Sequence, residues 1–209
     1  MEESLELDAE PYDPRYPVVG FDERPYQLVS EVRQPLPATP GHPVRYDYEY
    51  RREGTCHLFM LFQPLQGWRH VKGTARRTAK DFAHGMQARV DVHCPNATLI
   101  SVALDKLNTH TPAALYEACT PPEARRLRRK LDFRYAPKQG SWLNMAEIEC
   151  AVLSPQGWDR RLPDQETVCR PTMAWQPQRN AAQATVTWRF TIATARRTLK
   201  RLYPSQPLC

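Results

Sequence analysis

The sequence has no CxxC pair, no apolar run of about 18 residues and few glycines, and these absences exclude several protein classes. Its six cysteines match neither a zinc knuckle nor a disulfide framework; they lie at positions 56, 94, 119, 150, 169 and 209. No secretory signal precedes them, so free thiols in a reducing cytoplasm are expected. The lack of a long apolar run predicts that the chain does not span a membrane.

The composition that remains is typical of a globular protein. The chain has 209 residues, of which 41% are hydrophobic and 10% aromatic, enough for one domain with a sizeable core. Its net charge of +6 fits a polyanionic partner. There are 20 prolines against 8 glycines, so many of the connections are expected to be proline-containing loops.

The apolar pattern predicts strands that alternate with helices, as in an α/β sheet. A first strand is expected from Pro17, and residues 44–50 and 56–62 are expected to pair as a hairpin around Glu53-Gly54. Further strands are predicted over 98–104 and 131–135, with helices over 78–92, 111–118, 123–130 and from about residue 144. The expected fold is a mixed sheet, with an antiparallel three-strand meander and parallel strands, flanked by helices.

Three segments are expected within this organisation. Residues 1–16 are acidic and then proline-rich, as in a leader or linker, residues 17–160 form the core, and 161–209 form a helical extension of the same domain. Pro155 follows directly on the helix that carries Glu147, while Pro171 and Pro177 fall in a region, Asp164 to Tyr203, that otherwise patterns as one long helix. An interior proline costs a helix about 3 kcal/mol or more, so this region is expected to be broken into short, locally weak segments.

Carboxylates on separate apolar elements are the candidate site residues. Asp22 lies on the first strand, Asp105 ends the apolar run 98–105, and a helix that follows a strand and a loop carries Asn144, Glu147 and Glu149. Buried like charges are costly, so three such acids invite a divalent metal ion. Glu147 and Glu149 lie about 200° apart around a helix, so at most one of them faces the site.

Each acid also has a simpler explanation when it is taken alone. Asn144 and Glu147 fit a helix capping box, with Asn as the cap and Glu three residues later. The dipeptide Asp22-Glu23 fits an ordinary ion pair at a strand end, and Asp105 fits the start of a turn. Only the order of the motifs along the chain favours a common site.

That order resembles the catalytic signatures of bacterial insertion-sequence transposases (IS six-thirty type), in the branch related to the mariner-like elements. The resemblance is carried by Asp22-Glu23, Leu104-Asp-Lys-Leu-Asn-Thr-His110 and Pro137-Lys-Gln-Gly-Ser-Trp-Leu-Asn-Met-Ala-Glu-Ile-Glu149. It covers nearly the whole chain from about residue 8, with the motifs in order and at natural spacing.

The resemblance implies an RNase H-like fold and an Asp-Asp-Glu metal site formed by Asp22, Asp105 and Glu147. The implied cofactor is Mg²⁺ or Mn²⁺, with two ions. Such ions prefer oxygen ligands, and a pair of them clamps an in-line displacement at phosphorus. The implied activity is metal-dependent cleavage and strand transfer of DNA phosphodiester bonds at transposon ends.

Other residues are candidates for supporting roles. His110 is expected to be a cap or a hydrogen-bonding neighbour of a ligand, since hard ions rarely take imidazole. Asn108 is expected to orient Asp105 or a phosphate. The remaining candidates for contacts with DNA or with the metal ligands are Lys138, Asn144, Arg125 and Arg126. For the arginines, a solvated helix face is an equally good explanation.

The resemblance also implies partners. These are DNA, as transposon ends and target, and further copies of the chain in a synaptic complex, in the bacterial cytoplasm at the nucleoid. Complete family members carry an N-terminal helix-turn-helix region, so this chain is expected to be a fragment, a second reading frame or a remnant. A polypeptide with that region, or a full-length transposase, is a possible partner.

Two alternatives stay open: a catalytically weak or inactive DNA-binding remnant, and a generic RNase H-like nuclease. The three prolines favour the first of these, because a locally weak segment beside Glu147 predicts weak or absent nicking.

Overall fold

The computed structural model describes residues 1–137, 140, 143–158 and 160–203. Its helices are α1 (Glu2–Ala9), α2 (Ala79–Ala88), α3 (Ala114–Ala118), α4 (Pro121–Lys130), α5 (Met145–Gly157), α6 (Gln165–Ala181) and α7 (Ile192–Thr198). Its strands are β1 (Val18–Glu31), β2 (Tyr50–Gln63), β3 (Trp68–Thr74), β4 (Ile100–Leu104) and β5 (Leu131–Tyr135). A π-helical turn, Arg89–His93, extends α2, and a 3-10 turn, Lys200–Leu202, follows α7.

The five strands form one mixed sheet in the order β3-β2-β1-β4-β5. Strand β2 is antiparallel to both β1 and β3, whereas β4 is parallel to both β1 and β5. An antiparallel meander followed by parallel strands that are reached through helices is the arrangement of the RNase H-like fold. The predicted fold class is therefore confirmed.

The predicted hairpin around Gly54 is wrong. Residues 44–49 are not a strand, and β2 runs straight through Gly54 while it pairs with β1. The register of that pair shifts between Leu28 and Val29, and Gly54, with φ of 117°, lies opposite this irregularity. Glycine in a strand interior is as typical of a bulge as of a turn. The turn lies instead between β2 and β3, where Gly67 has φ of 65°.

Alternate residues of β1 supply two hydrophobic cores, one on each face of the sheet. Val19 and Phe21 belong to the core under α2, α3 and α4. Gly20 faces the other way, where Ala146 of α5 packs with residues of β2 and α6. Asp22 shares the face of Gly20, and Glu23 shares the face of Phe21. The side chains of these neighbouring acids therefore lie on opposite faces of the sheet.

The predicted break at the prolines is also wrong. Helix α5 runs through Pro155, and Pro171 and Pro177 both lie inside the 17 residues of α6. Helix α6 is held by its packing, because Val168, Thr172 and Trp175 are buried in the core of the α5 face or beside it. Tertiary contacts of this kind override helix propensity.

The two ends of the described chain pack together. Residues 2–9, expected to be part of a linker, form α1, whose Leu5 is buried in a small cluster with Ala195 of α7. Residues 182–191, expected to be helical, connect α6 to α7 without forming a helix. No helix in the described ranges is long and apolar enough to cross a membrane.

Candidate active site

The first turn of α5 lies against β1 because Gly20 has no side chain. A Cβ at Gly20 would lie 3.1 Å from both the main-chain nitrogen of Ala146 and Oδ1 of Asn144. Asn144 ties the helix to the strand: its Oδ1 accepts from the Ala146 N–H at 3.1 Å, and its Nδ2 donates to the Phe21 carbonyl at 2.8 Å. This close approach brings the first turn of α5, which carries Glu147, to the level of Asp22.

A cavity of about 560 Å³ lies at this junction. Asp22 comes from the middle of β1, Asp105 directly follows β4, and Glu147 comes from the first turn of α5. Ligand sites in open α/β sheets lie at the carboxyl ends of parallel strands, which is where β4 delivers Asp105. The described residues that line it are Asp22, Glu23, Arg24, Asp105, Asn144, Glu147, Cys150 and Ala151. The three predicted acids thus meet in one cavity, although their catalytic role remains a prediction.

The acids of this cavity influence one another. Burial raises the pKa of Asp22 to about 6, against the opposing effect of a hydrogen bond from the Glu23 main chain. The negative charges of Glu147 and Asp105 push this pKa in the same direction as burial. Like charges that raise the pKa of a neighbour in this way create a local demand for a cation.

Cationic side chains in the described part of the chain compensate little of this negative charge. Arg24 borders the cavity, but its guanidinium donates to the Cys150 carbonyl at 3.3 Å. Among the described side chains, neither Asp22 nor Glu147 forms an ion pair within 4.0 Å. The donors are of the hard oxygen type that Mg²⁺ and Mn²⁺ prefer, and no described side chain forms an ion pair with Asp22 or Glu147, whereas Asp105 contacts His110.

The donor set is not closed around an ion site. In the ranges that the structure describes, no group of three or more His, Cys, Asp or Glu side chains is arranged to hold a metal ion as it stands. The chemistry and shared cavity of Asp22, Asp105 and Glu147 fit a divalent ion, but their carboxylates would have to draw together to bind it.

His110 supports Asp105, in the position expected of a hydrogen-bonding neighbour. Its Nδ1 lies 2.7 Å from Oδ1 of Asp105, and its main-chain oxygen accepts from the Tyr135 hydroxyl at 2.9 Å. Burial lowers the pKa of His110, but the hydrogen bond to Asp105 and the proximity of Glu23 outweigh it, so the pKa is raised.

The second acid of α5 is occupied elsewhere. Glu149 is buried, and its Oε1 lies 3.0 Å from Nε of Arg69 and 3.0 Å from Nη2 of Arg179. Arg69 lies over the ring of Phe62, with 4.9 Å between the guanidinium carbon and the ring centroid. Sequence reasoning missed this cluster, because its members come from β3, α5 and α6 and no local motif joins them.

Among the described residues, Asn108, Arg125 and Arg126 do not line the cavity. Asn108 is exposed and forms no hydrogen bond with any described residue. Lys138, predicted to contact DNA, lies outside the described residues. Arg126 forms an ion pair with Asp91 at 2.7 Å, whereas Arg125 is exposed and has no partner in the described ranges.

Arg125 and Arg126 instead border a second groove, of about 720 Å³, along α4. Its lining is Tyr116, Pro121, Pro122, Arg125, Arg126, Arg129 and Lys130. Lys130 directly precedes β5 and donates to the Pro95 carbonyl at 3.0 Å. This end of the groove therefore lies at the amino edge of the parallel strands, opposite the edge that carries Asp105.

An RNase H-like sheet with a carboxylate-lined cavity at its strand ends defines a class of proteins rather than one protein. The profile of the DDE superfamily endonucleases matches residues 17–169, which is well over half of the chain. The chain therefore belongs to the DDE superfamily endonuclease family.

Among solved structures, the chain is similar to one described as "Crystal structure of the Mos1 Strand Transfer Complex", with 13% identity and a TM-score of 0.34. That match covers 81% of this chain and 54% of the other, so this chain spans about half the length of that protein chain. No match was found among curated proteins.

Proposed function

We propose that this chain is the catalytic domain of a DNA transposase, which cuts and joins phosphodiester bonds at the ends of a mobile element. The observation that carries the proposal is the meeting of Asp22, Asp105 and Glu147 in one cavity, within a chain of the DDE endonuclease family. The finer assignment, to the insertion-sequence transposases related to mariner-like elements, is supported by the ordered motifs around these acids.

In this proposal the three carboxylates hold two ions of Mg²⁺ or Mn²⁺. Such ions, when bound, polarise the attacking and leaving oxygens of an in-line displacement at phosphorus. The chain itself supplies position: β1 and β4 fix the two aspartates, and the close contact of α5 with Gly20 fixes the glutamate. Asn144 anchors that helix and is therefore assigned a positioning role.

The proposed DNA contact outside the cavity is the groove along α4. Arg125 and Arg129 lie four residues apart, on one face of the helix, and neither has an ion-pair partner among described residues. Unpaired arginines beside an exposed tyrosine, Tyr116, suit a phosphate backbone with an accessible base. Replacing both arginines by Ala should remove about two phosphate contacts. The logarithm of the DNA-binding constant should then fall less steeply with the logarithm of the salt concentration.

The direct test is nicking of labelled DNA with Mg²⁺ or Mn²⁺. The natural chain should nick only when the metal is present, and Asp105→Asn should remove this activity, because the amide no longer carries the ligand charge. Equal nicking by both proteins, or nicking that persists in a chelator, would contradict the proposal.

The described carboxylates would have to draw together to bind an ion, and this arrangement supports a second candidate, a DNA-binding remnant without activity. The argument for weak nicking from broken helices no longer holds, since α5 and α6 are continuous. A protein that binds DNA with a steep salt dependence, but shows neither nicking nor metal binding, would be this remnant. Terminal inverted repeats and a helix-turn-helix reading frame beside the gene would favour the active transposase.

A further inference from the structure

Glu23 is a fourth acid that borders the cavity, but its carboxylate lies on the other face of the sheet from that of Asp22. It shares the face of Phe21, whose ring packs against Phe82 with centroids 5.2 Å apart, in the core under α2. Its side chain is 1% exposed. A carboxylate this deeply buried is costly unless cationic or hydrogen-bonding groups surround it.

Three such groups converge on Glu23. Its Oε1 lies 2.9 Å from Nδ1 of His57 on β2 and 3.8 Å from Nε of Arg77. Its Oε2 faces Nε2 of His110 at 3.7 Å. Both atoms of this last pair are buried and have no hydrogen-bond partner among the described residues, so no described hydrogen bond draws either atom away from the other.

His110 thus stands between two acids. Nδ1 contacts Asp105 at 2.7 Å, while Nε2 points to Glu23. The ring packs against two aromatic rings that also contact each other, with centroids 4.9 Å from Phe21 and 5.1 Å from Phe82. With the plane of the ring fixed, an acceptor at Nε2 determines how firmly Nδ1 is presented to Asp105.

We propose that Glu23 is a positioning residue of the active site, which acts through His110 to fix the carboxylate of Asp105 from the opposite face of the sheet. With Oδ1 of Asp105 engaged by His110, the other carboxylate oxygen is left to face the cavity. Groups that hydrogen-bond to the ligands of a metal ion orient those ligands and strengthen metal binding. The inference rests on the proposed function only where it treats Asp105 as a metal ligand.

The first test needs no metal. Proton NMR of the natural chain should show a slowly exchanging imidazole proton on Nδ1 of His110, assigned by its loss in His110→Gln. Glu23→Gln should move this signal upfield and speed its exchange. An unchanged signal in Glu23→Gln, or no such signal in the natural chain, overturns the proposal.

The second test measures Mn²⁺ affinity by calorimetry. Glu23→Gln should weaken binding by about 10- to 100-fold and lower kcat for nicking, with the KM for DNA unchanged. Glu31→Gln is the matched control, because Glu31 lies on the same strand as Glu23. It removes an ion pair with Arg161 and should leave the Mn²⁺ affinity unchanged. Equal weakening by both variants would reduce Glu23 to a structural ion pair.

These outcomes separate the two proposals. If the natural chain binds no Mn²⁺, the proposed function fails, while the imidazole proton still decides the role of Glu23. If Glu23→Gln does not fold, Glu23→Asp serves in both tests, because it keeps the charge and withdraws it from His110 by one methylene.

Discussion

Helix α5 carries two glutamates that meet opposite electrostatic surroundings. Glu147 lines a cavity with Asp22 and Asp105, and no described cation pairs with it. Glu149, two residues later, is buried between Arg69 and Arg179. Among the described residues, one side of the helix therefore carries an uncompensated negative charge, and the other carries a neutralised ion cluster that joins three elements. The difference suggests that the first is kept for a ligand and the second for stability.

The largest expected effect belongs to the uncompensated side. Asp22→Asn should abolish nicking, yet raise the stability of the metal-free protein at pH 7.5. The raised pKa of Asp22, about 6, means that its contribution to stability is fully present below its unfolded pKa near 3.8 and is lost as the pH rises through 6. Melting temperatures should thus differ between the two proteins at pH 7.5 and converge near pH 4; a lower melting temperature for Asp22→Asn at pH 7.5 would contradict this.

The neutralised side should respond in the opposite way. Glu149→Gln leaves Arg69 and Arg179 without their shared carboxylate, and breaking a buried pair costs on the order of 3–5 kcal/mol. Urea unfolding should show this loss. Exposed Glu166→Gln, at the start of α6, is the matched control and should change the free energy of unfolding very little. A loss below about 1 kcal/mol for Glu149→Gln would show that the ion cluster contributes little to the stability of the fold.

A smaller effect is expected at Gly20, against which the start of α5 packs. Gly20→Ala adds a Cβ 3.1 Å from two atoms of the α5 start, so the helix must shift. Overpacking of this kind costs about 1–3 kcal/mol, and the displaced Glu147 should weaken metal binding. Gly85→Ala, in α2, is the control, because its Cβ would meet no atom within 4 Å. Similar behaviour of both variants would argue against close packing at Gly20.

The last effect is confined to stability and concerns a single acid that does not line the cavity. Burial raises the pKa of Asp8 to about 7, and one of its oxygens has no partner in the described ranges. Its contribution to stability is present below the unfolded pKa near 3.8 and is lost as the pH rises through 7. Asp8→Asn should flatten this decline in thermal unfolding without changing any response to metal. A decline that persists in Asp8→Asn would assign it to other groups.

The sequence predicted the elements whose signals are local. The apolar run 98–104 predicted β4 together with the carboxylate that follows it, and the short segment 131–135 predicted β5. The acids of the cavity were singled out by their order along the chain and by the family resemblance, since each alone has a simpler explanation.

The features that sequence reasoning missed depend on distant partners. The sequence predicts a turn at Gly54, and only its pairing with β1 shows that it lies at an irregularity within β2. Pro171 and Pro177 predicted a broken helix, whereas the buried face of α6 holds it together. The ion cluster of Glu149 joins residues from three elements, and no spacing rule connects them.

The most direct test of the contrast between the two sides of α5 is the shift in melting temperature caused by Mg²⁺ or Mn²⁺ in three proteins. An ion that binds only the folded state raises the melting temperature of the protein. The natural chain and Glu149→Gln should both be stabilised, the latter from a lower starting temperature, while Glu147→Gln should show no shift. Equal shifts in Glu147→Gln and the natural chain would contradict the assignment of the cavity as a metal site.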